Sequence, residues 1–162
     1  MSAWTEERSI PRLGRARFED LDVWQAARLL VRDIYRITAG GGYARDFGLR
    51  EQTRRAAVSV MSNTAEAYDR DGNKELIQFL ALAKGSCGEV RSQLYVAADQ
   101  GYLSPEESER LGRSAAHISR MISGFMRYLR SSELTRKKIH RLLNGPLESG
   151  IWNFSGATAA GS

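Results

Sequence analysis

The sequence predicts an all-α fold, an antiparallel up-down-up-down four-helix bundle with basic flexible N- and C-terminal extensions, and three observations predict it. Apolar residues recur at helical spacing in four segments, while nothing alternates with period two for long enough to make a sheet. The three prolines, Pro11, Pro105 and Pro146, all lie outside helix interiors. The connections between the four segments are short, and short loops force antiparallel neighbours. The expected organisation is a basic N-terminal segment over residues 1–17, the bundle over 18–131 and a basic, partly disordered tail over 132–162.

Phe18 to Thr38 reads as the first helix, with an apolar seam of Val23, Ala27, Leu30, Ile34 and Ile37 that Trp24 and Val31 widen. Gly40-Gly41-Gly42 ends it. The second helix begins near Asp46 and runs to about Tyr68, carrying Leu49, Thr53, Ala56, Val60 and Ala67 at helical spacing. Asp69 to Asn73 is the next turn, with Asn73 placed as an N-cap for a third helix that carries Leu76, Phe79, Leu80, Ala83, Cys87, Val90, Leu94 and Ala97. That helix stops at Gly101. Ser104-Pro105-Glu106-Glu107 then supplies an N-cap, a first-turn proline and the Glu of a capping box. The fourth helix follows, with Leu111, Ala115, Ile118, Ile122, Phe125 or Met126, and Leu129 on its core face, and it fades at Ser131-Ser132. Beyond it, Leu134, Ile139, Leu142 and Leu143 have the spacing of a short basic helix. Ile151, Trp152 and Phe154 are apolar enough to dock on a partner.

Of 162 residues, 42% are hydrophobic and 27% charged, with one Cys, which excludes collagen, disulfide scaffolds and wholesale disorder. No window reaches 18 uncharged apolar residues and Met1 to Arg17 has no apolar signal core, so no membrane contact and a cytoplasmic location are expected. Cys87 lies on an apolar stripe with no His or second thiol near it in sequence and reads as a buried spectator. The lead that remains is charge. The net charge is +5, and the 24 basic residues comprise 20 Arg and 4 Lys. Arg matches phosphate oxygens bidentately and stacks on bases, although a GC-rich genome produces the same bias.

The Arg residues are patterned. In the fourth helix Arg110, Arg113, His117, Arg120 and Arg127 form one stripe about opposite the apolar seam, and in the first helix Arg28, Arg32 and Arg36 repeat at i, i+4, i+8. Such rows repel themselves unless acids or phosphates answer them, and Asp33 alone does not balance three arginines. They are the candidate nucleic-acid-binding residues; the bland reading is a solvated face met by a neighbouring subunit's carboxylates. The second and third helices carry two polar rows, Ser59, Asn63 and Glu66 against Ser86, Glu89 and Gln93. Antiparallel packing would set one against the other and let amides and hydroxyls satisfy the two carboxylates as a structural network, with Gly85 and Gly88 letting another backbone come close. A di-metal site would need Glu-x-x-His pairs, and neither His117 nor His140 has a Glu three residues before it. No P-loop, dinucleotide fingerprint or His-Glu-x-x-His is present, so no catalytic residues, metal or cofactor are expected.

The run Phe47-Gly48-Leu49, Gln52, Arg54-Arg55-Ala56-Ala57, Ser59, Asn63, Ala65-Glu66 resembles the second-helix signature of a bacterial four-helix bundle family. That family is named for proteins encoded in intervening sequences of the large-subunit ribosomal RNA gene. Phe79-Leu80, Ala83, Gly85-Ser86, Glu89, Gln93-Leu94, Ala97 and Gly101-Tyr102-Leu103 are similar to its third helix, and Phe18, Leu21 and Val23-Trp24 to its opening. One departure is Ala67, where the family usually has Gly after the Ala-Glu pair. The resemblance implies a homopentamer with a basic surface. It further implies, for some relatives, a non-enzymatic accessory role beside the reverse transcriptase of a diversity-generating retroelement. Two functions are therefore expected: an oligomeric protein that binds the backbone of RNA or DNA, or an adaptor whose Arg-rich faces meet an acidic protein partner.

Overall fold

A computed structural model describes residues 17–70 and 72–131. Five helices make up the described fold: α1 (Asp22–Ile37), the short α2 (Gly41–Arg45), α3 (Phe47–Tyr68), α4 (Asn73–Asp99) and α5 (Pro105–Ser131). No strand occurs among the described residues. The four long helices close around one core: α3 packs on α4, α4 on α5, and α1 lies against both α3 and α5. The expected short helix near Leu134 to Leu143 and the apolar tail residues lie outside the described residues.

The helix pairs are built differently. α1 and α5 are sharply two-faced and bring large side chains, among them Leu30, Ile34, Leu111, Ile118, Ile122 and Leu129, all fully buried. α3 buries mostly small side chains, Thr53, Ala56, Ala57, Val60, Thr64 and Ala67, and α4 mixes Ala83, Ser86, Cys87 and Ala97 with Leu76, Leu80, Val90 and Leu94. Two cross-helix contacts, Ser59 with Ser86 and Arg70 with Phe79, give their relative direction, since residue numbers rise along α3 as they fall along α4.

Most boundaries follow local chemistry. Asp46 caps α3, its Oδ1 accepting from the Leu49 amide at 3.1 Å. α4 ends in a Schellman turn, with Gly101 at φ +72 and the Gly101 and Tyr102 amides donating to Ala98 and Ala97 carbonyls, both at 2.9 Å. Ser104 Oγ accepts from the Glu107 amide at 3.1 Å, the first half of the expected capping box. The Glu107 carboxylate turns instead to Arg36.

Three expectations are corrected. The first helix does not begin at Phe18: Phe18–Asp20 is a 3-10 turn, and extended Leu21 (ψ 123) breaks the chain so that its own side chain reaches the core. The glycines after it are not merely a stop, because α2 forms within them. Tyr43 holds that helix in place, fully buried with its hydroxyl donating to Thr53 Oγ1 at 2.7 Å, and Gly42 lies where a Cβ would come within 2.8 Å of the Tyr102 ring. Asn73 is the first residue of α4 rather than its cap; extended Gly72 (ψ 141) stands at the N-cap position.

Candidate functional site

The predicted arginines of α1 and α5, Arg28, Arg32, Arg36, Arg110, Arg113, Arg120 and Arg127, are all exposed, as is His117. Their electrostatic surroundings divide them. Where the C-terminal turn of α1 passes the start of α5, Asp33 accepts from Arg110 at 2.7 Å and Glu107 meets Arg36 at 3.2 Å. Asp33, Arg36, Ser104, Glu106, Glu107 and Arg110 line a shallow open groove there, three carboxylates against two guanidiniums. That end of the rows is answered within the chain and holds no surplus positive charge. Arg113 pairs with Glu109 one turn back at 2.5 Å. Arg28 sits over the Trp24 ring, 5.9 Å from its centre. Arg28, Arg32, Arg120 and Arg127 make no ion pair with any described carboxylate.

The structure adds cations that sequence reasoning missed. Arg54 of α3 reaches across to α1, its Nε donating to Thr38 Oγ1 at 2.7 Å and its guanidinium 4.6 Å from the centre of the Tyr35 ring. Thr38 Oγ1 in turn donates to the Ile34 carbonyl at 2.7 Å, so Arg54 is fixed by neutral groups and keeps its charge unanswered. One turn earlier Arg50 lies over Phe47 at 4.7 Å and donates to the Ala44 carbonyl and the Glu51 carboxylate. Arg55 points to solvent beside them. The available signal was the i, i+4 step from Arg50 to Arg54, which gains meaning only once α1 is known to lie alongside.

The polar rows meet at a single crossing. Asn63 donates to the Ser59 carbonyl and Oγ, both at 2.9 Å, and Ser59 and Ser86 hydroxyls lie 2.9 Å apart. Ser86 Oγ donates to the Leu82 carbonyl at 3.1 Å, which leaves Ser59 to donate to Ser86. The expected satisfaction of the two carboxylates does not occur. Because the helices count in opposite directions from the Ser59–Ser86 contact, the rest of each row runs away from the other. Glu66 pairs with Arg70, Glu89 is exposed, and the buried Gln93 Oε1 has no partner among the described residues. Gly85 and Gly88 also depart from expectation. Both are exposed, with nothing among the described residues within 4 Å of a Cβ built on either, so no described backbone approaches them.

Cys87 is fully buried, and burial pushes its thiol from the ordinary 9.0 up to about 12. The folded protein therefore resists iodoacetamide at pH 8 and reacts fully in concentrated urea; rapid labelling without denaturant would mean that α4 opens locally. The sign of the accompanying pH effect follows from the raised value. The stability it contributes is whole below the unfolded thiol's pKa and is lost as pH rises from 9 toward 12.

Among the described residues, no three His, Cys, Asp or Glu side chains group as metal ligands, and no helix is long and apolar enough to cross a membrane. A family model described as 23S rRNA-intervening sequence protein matches residues 19–124. The crystal structure of a protein of unknown function from the S23 ribosomal protein family of Bacteroides thetaiotaomicron superposes with a TM-score of 0.59 at 18% identity, over 64% of this chain and 97% of that one. At that identity the likeness concerns the fold. No curated protein is similar enough to count as a relative.

Proposed function

Because the chain belongs to the 23S rRNA-intervening sequence protein family, we propose that it is a cytoplasmic, non-enzymatic nucleic-acid-binding accessory protein, an up-down-up-down bundle that works as a homo-oligomer. The observation that carries this reading is the set of exposed or half-exposed guanidiniums with no carboxylate partner among the described residues: Arg28, Arg32, Arg45, Arg54, Arg55, Arg91, Arg120, Arg127 and Arg130. A surface that answers some of its arginines internally and leaves nine unanswered among the described residues has a standing affinity for polyanions. The opposed numbering of the contacts between α3 and α4 and between α1 and α5 supports the topology. The outer face of α4 supports assembly. There Gly85 and Gly88 are open to solvent beside Leu82, Tyr95 and Val96, which are 52%, 67% and 44% exposed. Mid-helix glycines destabilise a free helix by about 1 kcal/mol each relative to Ala, an effect that a second copy's close approach would offset. The five-fold ring is the assembly that the family resemblance implies.

The test is the size-resolved mass of the protein with a structured RNA at about 0.05 M and 0.5 M salt. The expected result is an oligomer that takes up RNA at low salt and releases it at high salt, the log-log slope falling by about 0.9 for each contacting Arg changed to Gln. An oligomer indifferent to RNA at both salts overturns the reading. It would favour the adaptor, whose Arg surface meets an acidic protein such as a reverse transcriptase.

A further inference from the structure

The unanswered charge is not spread evenly, and on one side it is joined by exposed aromatic rings. Tyr35 of α1 and Phe47 at the start of α3 are 45% and 65% exposed. Each carries a guanidinium over its ring, Arg54 at 4.6 Å and Arg50 at 4.7 Å. With one face covered and so much of the ring in water, each leaves π-surface open. Trp24 lies on the same side of α1, three turns and about 16 Å along the axis from Tyr35, with Arg28 against it. The acids of this side are occupied: Glu51 pairs with Arg50, and Asp46 caps α3 and accepts from Tyr102 at 3.2 Å. Arg28, Arg32, Arg54 and Arg55 have no carboxylate partner among the described residues. The α1–α5 side, by contrast, has its charge partly cancelled by Asp33, Glu107 and Glu109.

We infer that the ledge formed by α1 and α3 binds single-stranded nucleic acid, with Tyr35 and Phe47 stacking on bases and Arg28, Arg32, Arg54 and Arg55 contacting phosphates. The inference rests on the nucleic-acid reading above and adds which face is used and which form is preferred. A duplex keeps its base faces inside its own stack, so exposed rings on a helical surface contribute little to holding one. A single strand offers a π-face with every base, and alternating rings and cations match its alternation of bases and phosphates. Arg54 suits the role because Thr38 and Tyr35 fix its guanidinium before any strand arrives, so little side-chain freedom is lost on binding.

The experiment titrates the full-length protein with a fluorescent thymidine strand of about 20 nucleotides, an abasic strand of the same length and a duplex of the same length. The variants are Tyr35→Leu, Phe47→Leu and Arg28→Gln, each checked by thermal melting for an unchanged fold. The expected result is that the thymidine strand binds more tightly than the other two. Each ring variant then weakens it roughly tenfold at unchanged salt slope, and Arg28→Gln lowers the slope by about 0.7. If the abasic strand binds as well as the thymidine strand, or both ring variants bind as wild type, the stacking ledge is overturned. Should all three ligands still bind with a steep salt dependence, the general nucleic-acid function survives that loss. Failure of every ligand to bind overturns both.

Discussion

Ile34→Ala lowers the stability of the folded chain by about 2–5 kcal/mol, whereas Leu29→Ala on the same helix changes it by no more than about 0.5 kcal/mol. Ile34 is fully buried where α1 faces the core, and truncating it removes buried methyl groups and leaves a cavity that four packed helices close only in part. Leu29 is 58% exposed and loses little by truncation. The two residues differ by position on one helix and scarcely by chemistry, so the pair tests the rotation of α1 directly. Urea titration reads it: the midpoint falls for Ile34→Ala with the slope unchanged. Equal midpoints for the two variants would mean that α1 is turned away from its placement here.

Ala57→Leu destabilises by about 1–3 kcal/mol through the opposite fault, overpacking. Ala57 is fully buried on α3, about 60° around the helix from Arg54, which reaches α1, and about 160° from Ser59, which meets α4, so it faces the core on the α1 side. Its side chain has no exposure, so a Leu there must push its neighbours apart. Either α3 moves away from α1, lengthening the 2.7 Å contact of Arg54 with Thr38, or the Leu adopts a strained rotamer. Thermal unfolding reads the loss as a lower midpoint. A variant that melts with wild type would show that the packing around Ala57 has slack that its full burial denies.

The two surfaces proposed for binding and assembly lie on different helices, the strand ledge on α1 and α3 and the assembly face on α4. For that reason the ring variants of Tyr35 and Phe47 are expected to leave the oligomeric mass unchanged.

What was legible in the sequence was what depends on neighbours within about one helical turn. The seams of α1 and α5 are unambiguous because apolar and charged residues alternate at the helical period, and Leu30, Ile34, Ile118 and Ile122 are buried as the spacing requires. Asp46, Gly101 and Ser104 act at helix ends through bonds to amides and carbonyls a few residues away, so their type and position suffice. The tertiary structure decided everything that depends on register between helices. α2 exists because Tyr43 finds Thr53, and the polar rows separate because α3 and α4 run past each other in opposite directions. Arg36 and Arg110 are answered because α1 brings Asp33 and α5 brings Glu107 to one place, while Arg54, whose importance no local pattern announced, stands beside Tyr35. The physical reason is range. Backbone hydrogen bonding and helical period act over about four residues and are written in local order, whereas the charge left on a surface is a sum over side chains that only packing brings within reach of one another.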